Sequence, residues 1–254
     1  MSQVIPLPSV NLRELAVLLD VDGTILDIAP TPGEVIVPAS LRRTLARLSR
    51  ETGGALALVS GRSLEDLDRL FAPLRLPAVG GHGAELRASA GGEAEAGGAG
   101  PLDGDLREQL AGIADSAPGV LIEDKGYALA VHYRLAPEQE GTVKQAVAAI
   151  QADWPQEPFE ILPGKAVLEI KPAGFNKGAA IRALMRHKPF AGRRPVFIGD
   201  DTTDEPAFAA MPEFKGLGFS VGRNISGTAH CFATPSEVRG WLERLSAGDG
   251  SRAQ

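Results

Sequence analysis

The stretch Leu15–Thr24, LAVLLDVDGT, joins a run of five apolar residues to two aspartates that stand two positions apart. A short apolar run of this kind is typical of a strand buried in a parallel sheet. Because residues two apart at a strand end project to the same side, Asp20 and Asp22 can approach one ligand together. Asp-Gly is also common in surface turns, but its position directly behind a predicted buried strand favours a functional site.

Similar apolar runs predict that this strand belongs to a sheet of parallel strands connected by helices. The further predicted strands are residues 55–59, 77–80 and 196–198. Ser63, with Asp66 three residues later, resembles a capping box that begins a helix ending at Phe71. We therefore predict an α/β fold with a doubly wound parallel sheet.

The pattern changes between the third and fourth predicted strands, where helix, strand and strand follow one another twice. The predicted elements are a helix at 103–117, strands at 120–125 and 127–134, a helix at 137–154, and strands near 159–162 and 167–171. We predict that residues 104–174 form a smaller α+β domain inserted into a core of residues 1–103 and 175–254. The tract Ala90–Gly100 holds no core-forming residues and is predicted to be a loop or a hairpin tip.

The charge and composition of the chain exclude several classes of function. Its formal net charge of -6 provides no general basic field, so we expect no nucleic-acid partner and no membrane partner. The single cysteine, Cys231, excludes an internal disulfide and a cysteine-rich metal site. No apolar run approaches the roughly 18 to 20 residues that cross a bilayer, and the N-terminus has no signal-peptide pattern. We expect a cytoplasmic protein and, since no apolar stripe favours a dimer, a monomer.

Polar residues follow the predicted strands of the core. Asp20 and Ser60 come directly after two of the strands, and Asp200 follows a third after one glycine. In open α/β sheets ligands bind at the carboxyl ends of the strands, so we expect these side chains to lie close together. Carboxylates this close repel each other unless a cation or a proton lies between them, and oxygen ligands suit Mg2+. The acidic run Gly199–Glu205 has an alternative interpretation that involves no cation. It can be the N-terminus of a helix, where acidic residues interact favourably with the helix dipole.

A phosphate group at such an acidic site needs hydroxyl and cationic partners. The turn Ser60-Gly61-Arg62 supplies a hydroxyl group and backbone N–H groups. Lys177 supplies an ammonium group at the start of a predicted helix, where the positive end of the helix dipole adds to its charge. Together these residues predict a phosphate site with a divalent cation.

The ordered set of motifs resembles that of the haloacid-dehalogenase-like (HAD-like) phosphatases. Its members are DVDGT at Asp20–Thr24, Ser60 after an apolar run, Lys177, and GDDTTD at Gly199–Asp204. The resemblance implies a HAD-like core with an inserted cap domain that sets the substrate. It implies that Asp20 is the nucleophile, which forms an aspartyl-phosphate, and that Asp22 is the general acid and then the base for water. Ser60 and Lys177 would hold the phosphoryl oxygens.

The same resemblance implies Mg2+ as the cofactor. Carboxylate and phosphate are both anions, so the cation and Lys177 would neutralise charge that otherwise prevents their approach. The implied metal-binding residues are Asp20, Asp22 through its backbone carbonyl, and Asp200, with Asp201 and Asp204 nearby.

Polar side chains share one face of the sheet predicted in the inserted domain, while apolar side chains take the other face for the two helices. The polar residues are Glu123, Lys125, His132, Arg134 and Glu169. One face of an antiparallel sheet often lies in water, which is the alternative interpretation for any one of them. As a set, they suit hydrogen bonding to the hydroxyl groups of a sugar.

Over its whole length the chain resembles the trehalose-6-phosphate phosphatases. The pieces that carry this resemblance are Leu19–Ile28, Ser60–Arg62, Gly81–Glu85, Glu123–Gly126, His132–Arg134, Val167–Pro172, Asn176–Gly178 and Gly199–Glu205. It implies a small-molecule sugar phosphate as substrate and trehalose and phosphate as products, with Glu123, Lys125 and Glu169 in contact with the sugar. Further candidates, either for substrate contact or for closure of the cap on the core, are Arg62, His82, His132 and Arg134.

Two alternatives remain open at the level of the sequence. One is a phosphatase for another sugar phosphate, such as sucrose 6-phosphate, or a phosphomutase, because these enzymes share the core motifs. The other is a non-catalytic sugar-phosphate sensor. The presence of Asp20, Asp22, Lys177 and Asp200 argues against a sensor, since loss of activity normally removes the nucleophile or the general acid.

Overall fold

The structure is a computed structural model in which residues 11–28, 35–96, 101–156, 159–164 and 166–247 are described. The strands within these residues are β1 (Leu15–Leu19), β2 (Leu56–Val59), β3 (Ala78–Gly80), β4 (Glu85–Arg87), β5 (Glu95–Ala96), β6 (Leu121–Asp124), β7 (Leu129–His132), β8 (Phe159–Gly164), β9 (Val167–Pro172), β10 (Arg194–Gly199), β11 (Leu217–Val221) and β12 (His230–Phe232). The α-helices are α1 (Ala39–Glu51), α2 (Leu64–Phe71), α3 (Gly104–Ala111), α4 (Ile113–Ser116), α5 (Glu140–Asp153), α6 (Lys177–Leu184), α7 (Glu205–Ala210) and α8 (Pro235–Ser246). No helix among the described residues has the length and apolar composition that crossing a membrane requires.

The chain divides into two compact units. The first consists of Met1–Gly97 together with Asn176–Gln254, and the second is the continuous stretch Gly98–Phe175. The predicted bounds of the inserted domain, residues 104–174, lie inside the second unit.

The first unit contains an eight-stranded sheet with the strand order β12-β11-β10-β1-β2-β3-β4-β5. The strands from β12 to β3 pair in parallel, and β4 and β5 are added antiparallel at one edge. From β1 the chain passes to β2 and β3 on one side, and later to β10, β11 and β12 on the other. The order therefore reverses at β1, and this reversal places a crevice at the carboxyl ends of β1 and β10, where α/β sheets bind ligands.

Both faces of β1 are packed against helices. Leu15, Val17 and Leu19 belong to a core that includes residues of α1, α2 and α8. Ala16 and Leu18 belong to a second core, formed with α6 and α7. Because all five residues are buried, the strand reads as a continuous apolar run. This double packing fixes the end of β1 and the loop that follows it.

The second unit contains a four-stranded antiparallel sheet with the order β6-β7-β9-β8. Leu129 and Val131 of β7 and Leu168 and Ile170 of β9 lie in a core shared with residues of α3 and α5. The apolar face that the sequence predicts for this sheet is therefore present.

The predicted fold class, a doubly wound α/β sheet with a smaller α+β unit, is confirmed. The four strands predicted for the core are present as β1, β2, β3 and β10. The helix start at Ser63 is also confirmed, because the hydroxyl oxygen of Ser63 accepts a hydrogen bond from the amide of Asp66 at 3.1 Å.

Several elements differ from the sequence predictions. The predicted helix 103–117 is divided at Gly112 into α3 and α4. The predicted strand 127–134 is shorter, so that Arg134 lies in the turn after β7 and not on the strand. The tract Ala90–Gly100 includes β5, which pairs with β4 as the second strand of a hairpin, while its residues 97–100 lie outside the described residues.

Strand β11 has no counterpart in the sequence predictions. Its apolar residues are interrupted by Gly218 and Ser220, so it shows no continuous apolar run. Gly218 is nevertheless part of the packing, because a Cβ atom there would lie 2.7 Å from Cδ1 of Phe208. The apolar pattern of the sequence therefore does not predict this strand, in which Gly218 leaves space for the ring of Phe208.

Helix α6 approaches α7 closely at a glycine. Asn176 caps α6, since its side-chain oxygen accepts a hydrogen bond from the amide of Ala179 at 2.8 Å. A Cβ atom on Gly178 would lie 2.2 Å from the backbone carbonyl oxygen of Pro206. Only a residue without a side chain allows this approach, which brings Lys177 at the start of α6 beside the segment that precedes α7.

Gly178→Ala is expected to lower the free energy of unfolding by about 1–3 kcal/mol, because the added methyl group overlaps a backbone atom and the two helices must separate. Urea unfolding followed by circular dichroism measures the change. Gly240→Ala in α8 is the matched control, since its Cβ would meet only the end of the Arg244 side chain at 3.5 Å. There alanine is expected to raise the stability by about 0.5–1 kcal/mol. Equal effects at the two positions would contradict the close approach.

Candidate active site

Asp20 is the first residue after β1 and lies at the crevice where the strand order reverses. Its amide donates a hydrogen bond to the carbonyl oxygen of Ile198 in β10 at 2.9 Å, which ties the loop to the neighbouring strand. The residue is only 5% exposed. Its carboxyl group therefore contacts other groups of the protein and has little contact with solvent.

The turn after Asp20 brings a second aspartate to it. Gly23 adopts a φ of +80°, and a Cβ atom there would lie 2.2 Å from Oδ2 of Asp200. Glycine is thus required both for the backbone conformation and for the approach of Asp200. The buried hydroxyl of Thr24 lies 2.9 Å from Oδ2 of Asp20 and 2.9 Å from Oδ1 of Asp200. Since a hydroxyl has one proton, it can donate to only one of these two oxygens at a time.

Lys177 provides the cation of the site. Its Nζ donates to Oδ1 of Asp20 at 2.7 Å and to Oδ1 of Asp204 at 2.6 Å. The ammonium group is almost completely buried, with a side-chain exposure of 3%. Helix α6 therefore delivers one positive charge between two carboxylates that come from different parts of the chain.

Asp204 connects this ammonium group to the loop after β10. Its Oδ2 accepts hydrogen bonds from the amides of Asp200 at 2.9 Å and Asp201 at 3.1 Å. With the bond from Lys177, the Asp204 carboxylate accepts three hydrogen bonds and has no exposed surface. It fixes the backbone that carries Asp200.

The buried region holds three carboxyl groups and one ammonium group. Burial raises the pKa of Asp20 to about 6, against the opposing effect of Lys177. Burial also raises the pKa of Asp204 to about 6, and that of Asp200 above its ordinary value. Burial alone would lower the pKa of Lys177, but the carboxylates of Asp20 and Asp204 outweigh it and raise the pKa. Once the carboxyl groups ionise, negative charge exceeds positive charge.

The carboxylates have the chemistry of a metal site. Asp20, Asp200 and Asp204 each offer one oxygen, and these oxygens lie within 4.8 Å of one another. Oxygen ligands with an excess of negative charge fit a hard divalent cation. Because Asp204 already accepts three hydrogen bonds, Asp20 and Asp200 are the more open ligands. Asp201 lies outside this group; it is exposed, and its Oδ1 accepts a hydrogen bond from the amide of Thr202 at 2.6 Å.

Ser60 and Arg62 lie in the turn after β2. The amide of Ser60 donates to the carbonyl oxygen of Val79 at 2.9 Å, and its hydroxyl oxygen accepts a hydrogen bond from the amide of Arg62 at 3.2 Å. The guanidinium group of Arg62 binds both oxygens of Asp22: Nε lies 2.6 Å from Oδ2 and Nη2 lies 2.7 Å from Oδ1. The sequence names Asp22 and Arg62 as site residues but does not predict that they bind each other.

His82 lies against the same turn in an unusual backbone conformation. Its φ of 55° falls in the left-handed region, which residues other than glycine rarely adopt. A Cβ atom on Gly61 would lie 2.4 Å from Nε2 of His82, so the ring covers that glycine. The amide of His82 donates to the carbonyl oxygen of Ser60 at 3.1 Å. Strain of this kind is often found at functional sites.

In the second unit, four of the polar residues that the sequence predicts on one face of the sheet form two pairs. Nε2 of His132 lies 2.8 Å from Oε2 of Glu123, and Nζ of Lys125 donates to Oε2 of Glu169 at 2.9 Å. Glu123 and Glu169 stand on either side of Ala130 in the strand register and therefore share one face. Two carboxylates, each with a partner, thus flank a small side chain.

Comparison with known proteins supplies the family. A family model described as trehalose-phosphatase matches residues 18–236. The chain belongs to the trehalose-phosphatase family. This membership confirms the resemblance seen in the motifs, and the chain is a phosphoric monoester hydrolase.

Similar proteins extend over most of the chain. A probable trehalose-phosphate phosphatase of Sinorhizobium fredii is 43% identical over 244 residues, which cover 94% of this chain and 90% of the relative. The trehalose-6-phosphate phosphatase of Escherichia coli is 40% identical over 227 residues, 89% of this chain and 85% of the relative.

Solved structures agree on the fold. The crystal structure of a trehalose-6-phosphate phosphatase related protein has a TM-score of 0.73 at 26% identity and covers 92% of this chain and 97% of its own. The C-terminal domain of the Candida albicans trehalose-6-phosphate phosphatase has a TM-score of 0.77 at 21% identity, with 92% of each chain covered, and this likeness shows the fold alone.

Thr24 is the member of this family's site that sequence reasoning leaves without a role. It stands in the DVDGT motif, yet its contact with both Asp20 and Asp200 depends on the pairing of β1 with β10. Its side chain is polar yet fully buried, and this burial, which only the structure shows, is the signal that identifies it.

Mg2+ is expected to raise the melting temperature more at about pH 7.5 than at about pH 5, because burial raises the pKa of Asp20 and of Asp200 and protons compete with the cation for them at the lower pH. The folded-state pKa values of Asp20 and Asp204, each about 6, lie above the ordinary 3.8, so the metal-free protein itself loses stability as the pH rises through this range. Thermal unfolding in Mg2+ and in a chelator, at both pH values, measures both effects.

Two variants control this measurement. Asp200→Asn is expected to lose most of the response to Mg2+, because it removes an open ligand. Glu65→Gln replaces an exposed carboxylate of α2 and is expected to keep the response. An equal response at both pH values, or a full response in Asp200→Asn, contradicts the assignment of the site.

Proposed function

We propose that this chain hydrolyses trehalose 6-phosphate to trehalose and phosphate through an aspartyl-phosphate on Asp20, with Mg2+ as cofactor. The observation that carries the proposal is the setting of the Asp20 carboxylate. It lies 2.7 Å from the ammonium group of Lys177 and shares the hydroxyl of Thr24 with Asp200. The proposed identity of the substrate is based on the family and on the names of the similar proteins.

In the first step, an oxygen of Asp20 forms a bond to phosphorus while the bond from phosphorus to the sugar oxygen breaks. Asp22 gives its proton to that sugar oxygen, so trehalose leaves as a neutral alcohol. In the second step, Asp22 takes a proton from water, and the water oxygen forms a bond to phosphorus while the bond from phosphorus to the Asp20 oxygen breaks, which releases phosphate. Both catalytic aspartates then return to their starting states.

The surrounding residues act by position and charge. Lys177 would donate a hydrogen bond to one phosphoryl oxygen and keep its hydrogen bond to Asp20. The Ser60 hydroxyl would donate a hydrogen bond to another phosphoryl oxygen. Bound Mg2+ would supply charge neutralisation between the nucleophile and the phosphate. The residues proposed to hold it are Asp20, Asp200 and the backbone carbonyl of Asp22, with Asp201 and Asp204 nearby.

The polar face of the second unit is proposed to read the sugar. Glu123 and Glu169 would accept hydrogen bonds from sugar hydroxyls, and Lys125 would donate one. The contacts of His132 with Glu123 and of Lys125 with Glu169 hold these carboxylates in fixed directions. Arg134 stays a candidate for substrate contact from its place in the turn after β7. The monomeric state and the cytoplasmic location stay predictions of the sequence.

Asp20→Asn is expected to abolish release of phosphate from trehalose 6-phosphate, because an amide oxygen is too weak a nucleophile to attack phosphorus. Phosphate release with Mg2+ measures turnover, and the melting temperature verifies that the variant is folded. Arg69→Ala, which removes an exposed side chain of α2, is expected to retain wild-type turnover. Activity surviving in folded Asp20→Asn refutes the covalent route.

Glu169→Ala is expected to lower kcat/KM for trehalose 6-phosphate by about 10-fold or more, since a lost hydrogen bond to a substrate hydroxyl is a loss of this order. The effect on a small aryl phosphate, which lacks the sugar, is expected to be less than about 2-fold. Rates on trehalose, sucrose, glucose and mannose 6-phosphates provide the comparison set, and Glu138→Ala, an exposed carboxylate of the same unit, is the control. Equal losses on both classes of substrate show that this face does not read the sugar.

A further inference from the structure

The pairing of Arg62 with Asp22 uses both oxygens of the carboxyl group. Nε of Arg62 lies 2.6 Å from Oδ2, and Nη2 lies 2.7 Å from Oδ1. This two-point contact fixes the plane and the direction of the carboxyl group, which a single hydrogen bond does not. The Arg62 side chain is 16% exposed and the Asp22 side chain 37%, so the pair lies at the open side of the site.

Arg62 is itself held by the backbone around it. Its amide donates to the hydroxyl oxygen of Ser60 at 3.2 Å, and its carbonyl oxygen accepts a hydrogen bond from the amide of Gly81 at 2.9 Å. The turn after β2 therefore sets the position of Ser60 and of the guanidinium group together. Asp22, by contrast, stands on the loop after β1, and its isolated bridge to Leu26 involves only the backbone.

We propose that Arg62 is a positioning residue that acts on the reaction through Asp22. One bond of the pair stays in place while the other carboxyl oxygen of Asp22 turns to the oxygen of the leaving sugar. Arg62 thereby keeps Asp22 within reach of the leaving sugar oxygen in the first step and of the attacking water in the second. The inference rests on the proposed function, because it needs Asp22 to transfer the proton.

The competing role is the direct contact with substrate that the resemblance implies for Arg62. A guanidinium group that binds the substrate contributes to binding of any phosphate monoester, whatever its leaving group. A guanidinium group that orients Asp22 matters in the first step only where the leaving oxygen needs a proton, while its effect on the second step, in which Asp22 takes a proton from water, is the same for every substrate. A sugar alkoxide needs one, whereas p-nitrophenolate leaves without it. The two roles therefore predict different effects of an Arg62 substitution on substrates with different leaving groups, and different effects in chains with and without the Asp22 carboxyl group.

A double-mutant cycle tests the proposal. The variants are Arg62→Ala, Asp22→Asn and the two combined, each assayed with Mg2+ on trehalose 6-phosphate and on p-nitrophenyl phosphate. Arg62→Ala is expected to lower kcat and kcat/KM for trehalose 6-phosphate by about 10-fold or more, with KM changed less than about 3-fold. It is expected to change kcat/KM for p-nitrophenyl phosphate, which reports the first step alone, much less. In the Asp22→Asn background the same substitution is expected to lower kcat by less than about 2-fold.

Two further variants complete the design. Arg62→Lys keeps the charge but not the two-point contact, and it is expected to restore only part of kcat; it also replaces Arg62→Ala if that variant does not fold. Arg69→Ala removes an arginine that binds carboxylates on the surface of α2 and is expected to leave both activities unchanged.

The outcomes distinguish this inference from the proposed function. The inference is overturned if the losses multiply in the double variant, or if KM rises on both substrates at constant kcat. Arg62 is then assigned to contact with the substrate, and the proposed function stands. Full restoration of kcat by lysine overturns the need for a two-point contact. A wild-type chain that releases no phosphate from any sugar phosphate overturns both proposals.

Discussion

A buried ammonium group between two carboxylates holds the site together. Lys177 lies 2.7 Å from Asp20 and 2.6 Å from Asp204, and all three side chains are buried. Burial of carboxylates without a partner is strongly unfavourable, so the position of the ammonium group makes the acidic cluster possible. The three residues come from the loop after β1, the first turn of α6 and the short 3-10 helix Thr202–Asp204 that precedes α7. Their mutual contacts bring these elements to one point.

The strand order explains how residues so distant in sequence reach each other. Leu19 pairs with Ile198, so the loops that begin at Asp20 and Asp200 leave the sheet side by side. Gly23 allows Asp200 to approach the first loop, and Gly178 allows α6 to approach the second. The packing of β1 on both faces keeps this arrangement rigid, which a site that relies on position and electrostatics requires.

Much of this arrangement could be predicted because it follows from local patterns. Buried parallel strands read as apolar runs, so the ends of β1, β2 and β10 and the polar residues behind them are visible in the sequence. Strand β11 is not visible, because Gly218 and Ser220 serve contacts that only the folded chain contains. The same holds for Arg62, whose partner could not be read from its surroundings in sequence. Arg62 and Asp22 are 40 residues apart, and their contact depends on side-chain directions fixed after the strands have paired.

The division of the chain into a continuous unit and a split unit has a consequence for biosynthesis. The ribosome makes Asp20 before Gly98–Phe175, whereas Lys177 and β10 follow only after the whole of that stretch has been made. The inserted unit has its own core and can fold during this interval, while β1 has β2 as its partner on one edge only. The wholly apolar strand β1 thus presents an open edge to the cell until β10 has been made, and unpaired edges of this kind promote aggregation. Nascent chains, and fragments that end before Arg194, are therefore the forms of this protein that depend most on chaperones.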